Sequence, residues 1–160
     1  MLTFTDIIIF AAGGILLALW LIFYGKGMKY ASFFDPLEEK EYPLKEIYFV
    51  GYEVLNTIKY TYHSKSDRRM RKELAILYGE KYAEYYLRVI HAQQITIAAT
   101  MLVISFALYG LAGDITALAV MAVFAFTAYY YFGTVTREKI TKRSEEMMGD
   151  FSEVISKLAL

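Results

Sequence analysis

The sequence contains no cysteine, so it forms neither a disulfide framework nor a thiolate metal site. It also lacks the phosphate-binding Gly-rich loop, the dinucleotide-binding Gly-x-Gly-x-x-Gly, the zinc-binding His-Glu-x-x-His and the hydrolase motif Gly-x-Ser-x-Gly. Its two histidines, His63 and His91, are far apart, and we expect each to be solvated or interfacial rather than a metal ligand. The chain is therefore predicted to be no enzyme and to hold no cofactor or metal.

Charge is missing from three long apolar blocks, at residues 7–24, about 95–112 and 115 to about 133. Eighteen helical residues cover roughly 27 Å, close to the hydrocarbon core of a bilayer at about 30 Å. Since a chain of this size cannot bury three uniformly apolar helices in a soluble core, we predict an all-α membrane protein with three transmembrane helices. Only Gly113 and Asp114 separate the last two blocks, which predicts a tight hairpin.

The basic residues predict the orientation in the membrane. All 17 Lys and Arg residues lie in two stretches, 12 in residues 25–91 and 5 in residues 134–160. Because basic loops stay on the cytoplasmic side, we expect the N-terminus outside and both charged stretches inside. The predicted location is the cell inner (cytoplasmic) membrane, as a multi-pass protein. No basic residue precedes the first block, which argues against a signal peptide.

The chain is expected to divide into four segments. They are an N-terminal transmembrane helix (1–24), a cytoplasmic helical segment (25–91), a transmembrane hairpin (92–133) and a cytoplasmic amphipathic helix (134–160). Helical spacing of apolar residues predicts a helix over 43–62 and a second one after a turn, with Ser66 or Asp67 as its N-cap. Gly79 is expected to weaken or kink the second helix, which then continues into the second span. Whether residues 28–67 pack or form a mobile linker stays open.

Polar residues in and near the second span are interpreted as packing groups. Gln93, Gln94, Thr96, Thr100 and Ser105 are expected to form hydrogen bonds between helices, since no charge marks an ion path. The small residues at positions 14 and 18 are a weak signal of close helix packing.

The last helix carries an apolar stripe between charged residues. Its members are Ile140, Met147, Met148, Phe151, Ile155 and Leu158. Such a stripe has to pack on something, and the helical pair at 44–90 is the expected partner, giving a small cytoplasmic bundle. The pattern continues to Leu160, which suggests a helix that is cut short or completed by a partner.

A basic run, Arg68, Arg69, Arg71 and Lys72, opens the second cytoplasmic helix. It fits a solvated first turn, a contact with anionic lipid head groups, or a docking site for an acidic partner. Basic residues oppose the macrodipole at a helix N-terminus, which favours an external anion or acid. Residues 25–91 carry a net charge of only +2, too little for a nucleic-acid surface.

Three local sequences carry a family resemblance. They are Leu-Tyr-Gly-Glu-Lys-Tyr-Ala-Glu-Tyr-Tyr at 77–86, the pair Lys142-Arg143, and Asp-Phe-Ser-Glu-Val-Ile-Ser-Lys-Leu-Ala-Leu at 150–160. With the order of the spans, they resemble the front half of the tight-adherence pilus assembly protein C family. That family belongs with the type II secretion system F-domain membrane proteins of type IV-like pilus machines. Residues 150–160 look like the opening helix of the F domain, so the sequence looks like an N-terminal portion.

The resemblance implies a non-enzymatic membrane platform that couples a cytoplasmic secretion ATPase to pilin movement. It also implies a second platform protein and a pilin as partners, with self-association. The residues predicted to contact partners are Arg68, Arg69, Arg71, Lys72, Phe151, Ile155 and Leu158. The alternative is a membrane-bound regulatory or sensory protein that signals through its cytoplasmic helices. An enzyme acting on lipid is less favoured, because it would need polar or acidic residues clustered at a membrane face. Asp114 is isolated, and Glu80 and Glu84 are predicted to pair with Lys81 and Arg88 along the helix.

Overall fold

The fold is described by a computed structural model that covers residues 3–159. This part of the chain is helical and contains no strand, which confirms the all-α prediction. The helices are α1 (Phe4–Gly27), α2 (Ala31–Phe34), α3 (Tyr48–Thr57), α4 (Lys65–Tyr78), α5 (Glu80–Ala112) and α6 (Ile115–Leu158), with short 3-10 turns at Met28–Tyr30 and Lys45–Ile47. The prediction of a helix cut short at Leu160 concerns a residue outside the described range.

Three of the helices, α1, α5 and α6, are long and apolar enough to cross a membrane. None of the residues in the apolar window of α1 is buried inside the protein, and only 22% and 11% are buried in the windows of α5 and α6. Such uniformly apolar surfaces are more favourable in hydrocarbon than in water, because exposing apolar surface to water has a large free-energy cost. The prediction of three membrane-spanning helices is confirmed in length and composition.

The described residues form two compact units. Unit 1 consists of the chain up to Tyr60 together with His91–Phe132, and unit 2 consists of Thr61–Ile90 and the chain from Gly133 onward. Unit 1 therefore contains the hairpin and most of the apolar residues. Unit 2 contains both the basic run on α4 and the amphipathic end of α6.

Helix α1 packs against α5 through a small residue and a hydrogen bond. A Cβ added to Gly13 would lie 2.9 Å from the ring of Phe106, so a larger residue would require the Phe106 side chain to shift. Trp20 Nε1 donates to Thr100 Oγ1 at 3.2 Å, which confirms the predicted interhelical bond of Thr100. The weak packing signal at Gly14 is not matched by a close helix contact within residues 3–159, since a Cβ there would meet nothing within 4 Å.

Helix α3 lies very close to α5 within unit 1. A Cβ on Gly51 would stand 2.3 Å from the carbonyl oxygen of Ala92. Gly51 N–H donates to Thr96 Oγ1 at 2.9 Å, and the Thr96 hydroxyl lies 3.3 Å from the Tyr48 carbonyl oxygen to which it donates. The prediction for Thr96 is confirmed. The prediction for Ser105 is wrong, because its hydroxyl donates to a carbonyl of its own helix.

The helix predicted over residues 43–62 is shorter at both ends. It begins at Tyr48 after a 3-10 turn and ends at Thr57. Lys59 and Tyr62 have φ angles of 53° and 54°, in the left-handed region where an α-helix cannot continue. The apolar spacing continues past Thr57 although the helix ends there. Ile58, the next apolar residue of the pattern, is 62% exposed rather than buried.

Gly79 separates α4 from α5 completely. Its φ of 84° and ψ of 155° suit glycine alone, so the predicted weak point is a break. Beyond it α5 continues without interruption into the apolar block, as predicted. The hairpin turn at Gly113 and Asp114 is also confirmed, and the Asp114 carboxylate accepts a hydrogen bond from the N–H of Thr116 at 2.8 Å.

Candidate functional site

Helix α4 carries the basic run and begins at a reciprocal cap. Ser64 Oγ accepts from Asp67 N–H at 3.1 Å, and the Asp67 carboxylate accepts from Ser64 N–H at 3.2 Å. This capping box satisfies two backbone donors of the first turn and places a negative charge at the positive end of the helix. The predicted N-caps, Ser66 and Asp67, are wrong. Ser64 is the cap, and Asp67 acts as the third residue of the box.

An apolar core joins α4 to the first turns of α5 and to α6 within unit 2. Its buried members are Met70, Leu74, Ala83, Leu87, Ile90 and Ile140. Leu74 is fully buried, and the rings of Tyr78 and Tyr86 stack beside the core with centroids 4.0 Å apart. Since Met70 and Leu74 point into this core, the rotation of α4 about its axis is fixed. The directions of its basic side chains follow from that rotation.

The basic run is split between two faces of α4. Arg68, Arg71 and Lys72 share one face, because positions three and four apart lie above one another on a helix. Arg69 lies on another face, where its Nε donates to Glu73 Oε1 at 3.1 Å. The sequence prediction treated all four as one surface, and the structure brings only three of them together.

Arg68, Arg71 and Lys72 line an exposed groove with a fourth cation, Lys81 at the start of α5. The groove has a volume of ≈ 570 Å³, and its other lining residues are Ala75, Ala83 and Glu80. The small alanine side chains leave room for a partner to approach the backbone, and four cations against one acid make the groove electropositive. We call this surface the basic groove.

One acid beside the basic groove is held in its charged form. Glu84 lies 2.5 Å from an Arg88 nitrogen and 3.9 Å from an Arg71 nitrogen. The hydrogen bond and charge of Arg88, with a smaller contribution from Arg71, lower the pKa of Glu84. The predicted pairing of Glu84 with Arg88 is confirmed. Since Arg88 already neutralises Glu84, that acid reduces the positive charge of the groove only weakly.

A second, polar cavity of ≈ 390 Å³ lies between α4 and α6 in unit 2. Glu73 lines this cavity and accepts two hydrogen bonds there. One of its oxygens accepts from Arg69 Nε at 3.1 Å, and the other accepts from Thr141 Oγ1 at 2.9 Å. Arg137 also lines this cavity, and its buried Nε forms no hydrogen bond with the described residues. These contacts attach α6 to the face of α4 that turns away from the basic groove.

The end of α6 is exposed on every side from Glu145 to Leu158. The stripe residues predicted to bind partners, Phe151, Ile155 and Leu158, are 65%, 51% and 82% exposed. Of the whole predicted stripe only Ile140 is buried in the core of unit 2. The expected packing of the stripe on the neighbouring helices is therefore wrong beyond residue 144. We call residues 145–158 the α6 tail.

The two histidines occupy different environments. His63 is exposed, as predicted. His91 is buried at 8% exposure and its ring lies 5.3 Å from the Tyr60 ring, so His91 is not solvated, whereas its position at the membrane interface stays a prediction. Within residues 3–159, no three His, Cys, Asp or Glu side chains are grouped so that they could hold a metal ion.

Sequence reasoning missed Lys81 as part of the basic groove. Lys81 is nine residues from the nearest cation of the run and lies on another helix, so no spacing rule connects the two. The break at Gly79 brings them together, because it lets the first turn of α5 pack beside the last turns of α4. A glycine between two amphipathic patterns was the available signal.

Comparison of the chain with known protein families, curated proteins and solved structures finds no match. The resemblance carried by residues 77–86, 142–143 and 150–160 therefore remains a prediction.

Proposed function

We propose that this chain is a non-enzymatic platform subunit of a membrane machine of the pilus-assembly and type II secretion kind. Its three spans anchor it in the cell inner membrane with the N-terminus outside. Unit 2 is cytoplasmic, where it binds an assembly ATPase and a second platform protein. The spans pack against a pilin-like protein. The chain transmits conformational changes of the ATPase to that protein.

The exposed α6 tail is the observation that carries this proposal. The tail extends α6 beyond the core of unit 2 with its apolar face uncovered, and packing of such a face supplies most of a helix's stability in a protein. Large side chains such as Phe151 and Leu158 exposed in one contiguous patch mark a surface that another protein covers. A subunit whose main feature outside the spans is such a surface acts through protein contacts.

The basic groove supports the same proposal from a second direction. Four exposed cations around a floor of two alanines suit an acidic protein segment. We propose that partners contact unit 2 through the basic run and the stripe. The residues concerned are Arg68, Arg69, Arg71, Lys72, Phe151, Ile155 and Leu158.

The orientation rests on the distribution of basic residues, since none of the 17 lies before the first span or in the hairpin turn. Fusions of two reporters test it, one fluorescent only in the cytoplasm and one enzymatically active only outside it. A fusion after Leu160 is expected to fluoresce, and an insertion between Gly113 and Asp114 is expected to give enzyme activity. The opposite pattern would overturn the proposed topology.

Co-purification tests the platform function. The detergent-solubilised chain is expected to retain a secretion ATPase co-expressed with it, in a stable ratio and through washing at moderate salt. Charge reversal of the four basic residues of the run is expected to lower recovery, with Lys26→Glu near the end of α1 as the matched control. If recovery is unchanged, the run is not the contact. If no ATPase is retained by the wild-type chain, the regulatory alternative is preferred over the platform.

A further inference from the structure

The α6 tail and helix α4 carry opposite charges. Residues 65–78 have five basic and two acidic side chains, a net charge of +3. Residues 145–158 have four acidic side chains and one basic side chain, a net charge of −3. The cations of the basic groove and the whole tail are exposed, and both surfaces belong to unit 2. Each surface therefore has the charge that the other lacks.

The two faces of the tail suit the basic groove. Glu146, Asp150 and Glu153 are four and three residues apart, so they share one face of the helix. The apolar stripe runs along the neighbouring face, with Phe151 and Ile155 near its centre. The groove offers cations at its rim and the small, half-buried side chain of Ala75 at its floor, above the buried Ala83. An amphipathic acidic helix matches both parts at once.

The tail of the same copy cannot fill this groove. Met70 of α4 packs in the core with Ile140 of α6, whereas Lys72 lines the groove. These two positions are about 200° apart around α4, at 100° per residue. Because α6 is one uninterrupted helix from Ile115 to Leu158, its tail would have to break away from the helix to reach the other side of α4.

An anionic membrane surface fits the tail poorly. Helices that lie on such surfaces carry Lys and Arg on their polar face, whereas the polar face of the tail has four acids and Lys157. Head groups would attract the basic groove but would repel these acids. A protein surface that is both basic and open explains the two features together.

We infer that the α6 tail of a second copy of this chain docks in the basic groove, and that the exchange is reciprocal. Each copy then inserts its tail into the other, which closes a symmetric dimer with a two-fold axis. This inference names one partner of the proposed platform and rests on that function only for its self-association. It needs the two segments to lie on the same side of the membrane, which holds in either orientation of three spans.

Disulfide trapping tests the contact, and the natural absence of cysteine makes every introduced thiol specific. One tagged copy carries Val154→Cys, at an exposed position on the apolar side of the tail, and a second copy with a different tag carries Ala75→Cys. The two are mixed in equal amounts in detergent without added lipid and oxidised. A disulfide between the two tags is expected. Ser66→Cys is the matched control, because position 66 is about 180° from position 75 on α4.

Charge reversal and its rescue make the test specific. Arg68→Glu with Arg71→Glu on the groove copy is expected to reduce the cross-link at least fivefold. Asp150→Lys with Glu153→Lys on the tail copy is expected to restore it. Lys72→Glu with Lys81→Glu gives an independent reversal if the first pair does not fold, and circular dichroism of each variant checks its helix content.

The inference is overturned by any of three results. These are equal cross-linking at positions 75 and 66, a cross-link that charge reversal leaves unchanged, and a cross-link that forms only when anionic lipid is added. A further control is a double variant with both cysteines in one chain, diluted into an excess of cysteine-free chain. Its cross-linked dimer is expected to disappear. A disulfide that persists within one chain would mean that the tail fills the groove of its own copy. Cross-linking without ATPase binding would reject the proposed platform function alone, and ATPase binding without cross-linking would reject this contact alone.

Discussion

Replacing Gly51 by alanine tests the closest helix contact of unit 1. The added Cβ would lie 2.3 Å from the Ala92 carbonyl oxygen and 2.5 Å from Thr96 Oγ1, against an ordinary contact of 3.4 Å or more. The obstacle is backbone, which cannot rotate away as a flexible side chain would. Helix α3 must therefore withdraw from α5 by about 1 Å, as the shortfall between these distances requires.

The magnitude follows from two losses and one gain. Withdrawal lengthens the buried bond from Gly51 N–H to Thr96 Oγ1, now 2.9 Å, and an unsatisfied buried donor costs about 1–3 kcal/mol. Overpacking costs about 1–3 kcal/mol more. The higher helix propensity of alanine returns about 1 kcal/mol. We expect Gly51→Ala to lower the free energy of unfolding by about 1–5 kcal/mol.

The assay is unfolding by sodium dodecyl sulfate in bicelles, followed by the fluorescence of the single tryptophan, Trp20, in unit 1. The matched control is Gly14→Ala, since a Cβ at Gly14 meets nothing within 4 Å. The control is expected to unfold at the same denaturant level as the wild type or slightly above it. If Gly51→Ala is as stable as Gly14→Ala, the close packing of α3 on α5 described here is wrong.

Three smaller predictions concern unit 2. Leu74→Ala removes a fully buried side chain and is expected to lower the free energy of unfolding by about 2–5 kcal/mol. Faster amide hydrogen exchange in α4 measures this loss. The control Ile76→Ala, at a 40% exposed position, is expected to lower the free energy of unfolding clearly less. Ser64→Ala removes the cap and is expected to cost about 0.5–2 kcal/mol, with exchange accelerated first in the opening turn of α4; an unchanged first turn would reject the capping box. Since the folded-state pKa of Glu84 is lowered from its ordinary value of 4.5, its pairing with Arg88 stabilises the protein above that pH and is lost as the pH falls through the lowered pKa. Glu84→Gln should therefore cost about 0.3–0.5 kcal/mol at pH 7 and nothing in strong acid, whereas an equal effect at both pH values would contradict the pairing.

Elements with a strong local cause could be predicted. Charge-free blocks of eighteen residues or more predict α1 and the apolar parts of α5 and α6, because hydrocarbon thickness sets their length. The hairpin turn at Gly113 and the interruption at Gly79 could also be predicted, since glycine marks positions that other residues disfavour. The early end of α3 could not. Apolar spacing alone does not show that Lys59 and Tyr62 adopt left-handed backbone angles.

The candidate site was predicted in its residue types and missed in its grouping. The sequence pointed to the basic run and to Phe151, Ile155 and Leu158, since charge and amphipathicity are visible in one dimension. The pair of Arg69 with Glu73 has the i,i+4 spacing of a single helix and was open to prediction. The sequence could not show that Lys81 joins Arg68, because that grouping depends on the rotation of α4, which long-range burial of Leu74 in the core decides.

The sequence by itself determined an all-α chain with three helices long and apolar enough to cross a membrane, because hydrophobicity and helix length act locally along the chain. Only the tertiary structure decided which surfaces remain open. The core of unit 2 buries Ile140 and leaves Phe151 exposed. It also fixes the rotation of α4, so that Arg68, Arg71 and Lys72 are exposed beside Lys81. Whether an apolar stripe is covered depends on which neighbours reach it, and that is a property of packing between distant segments rather than of the stripe.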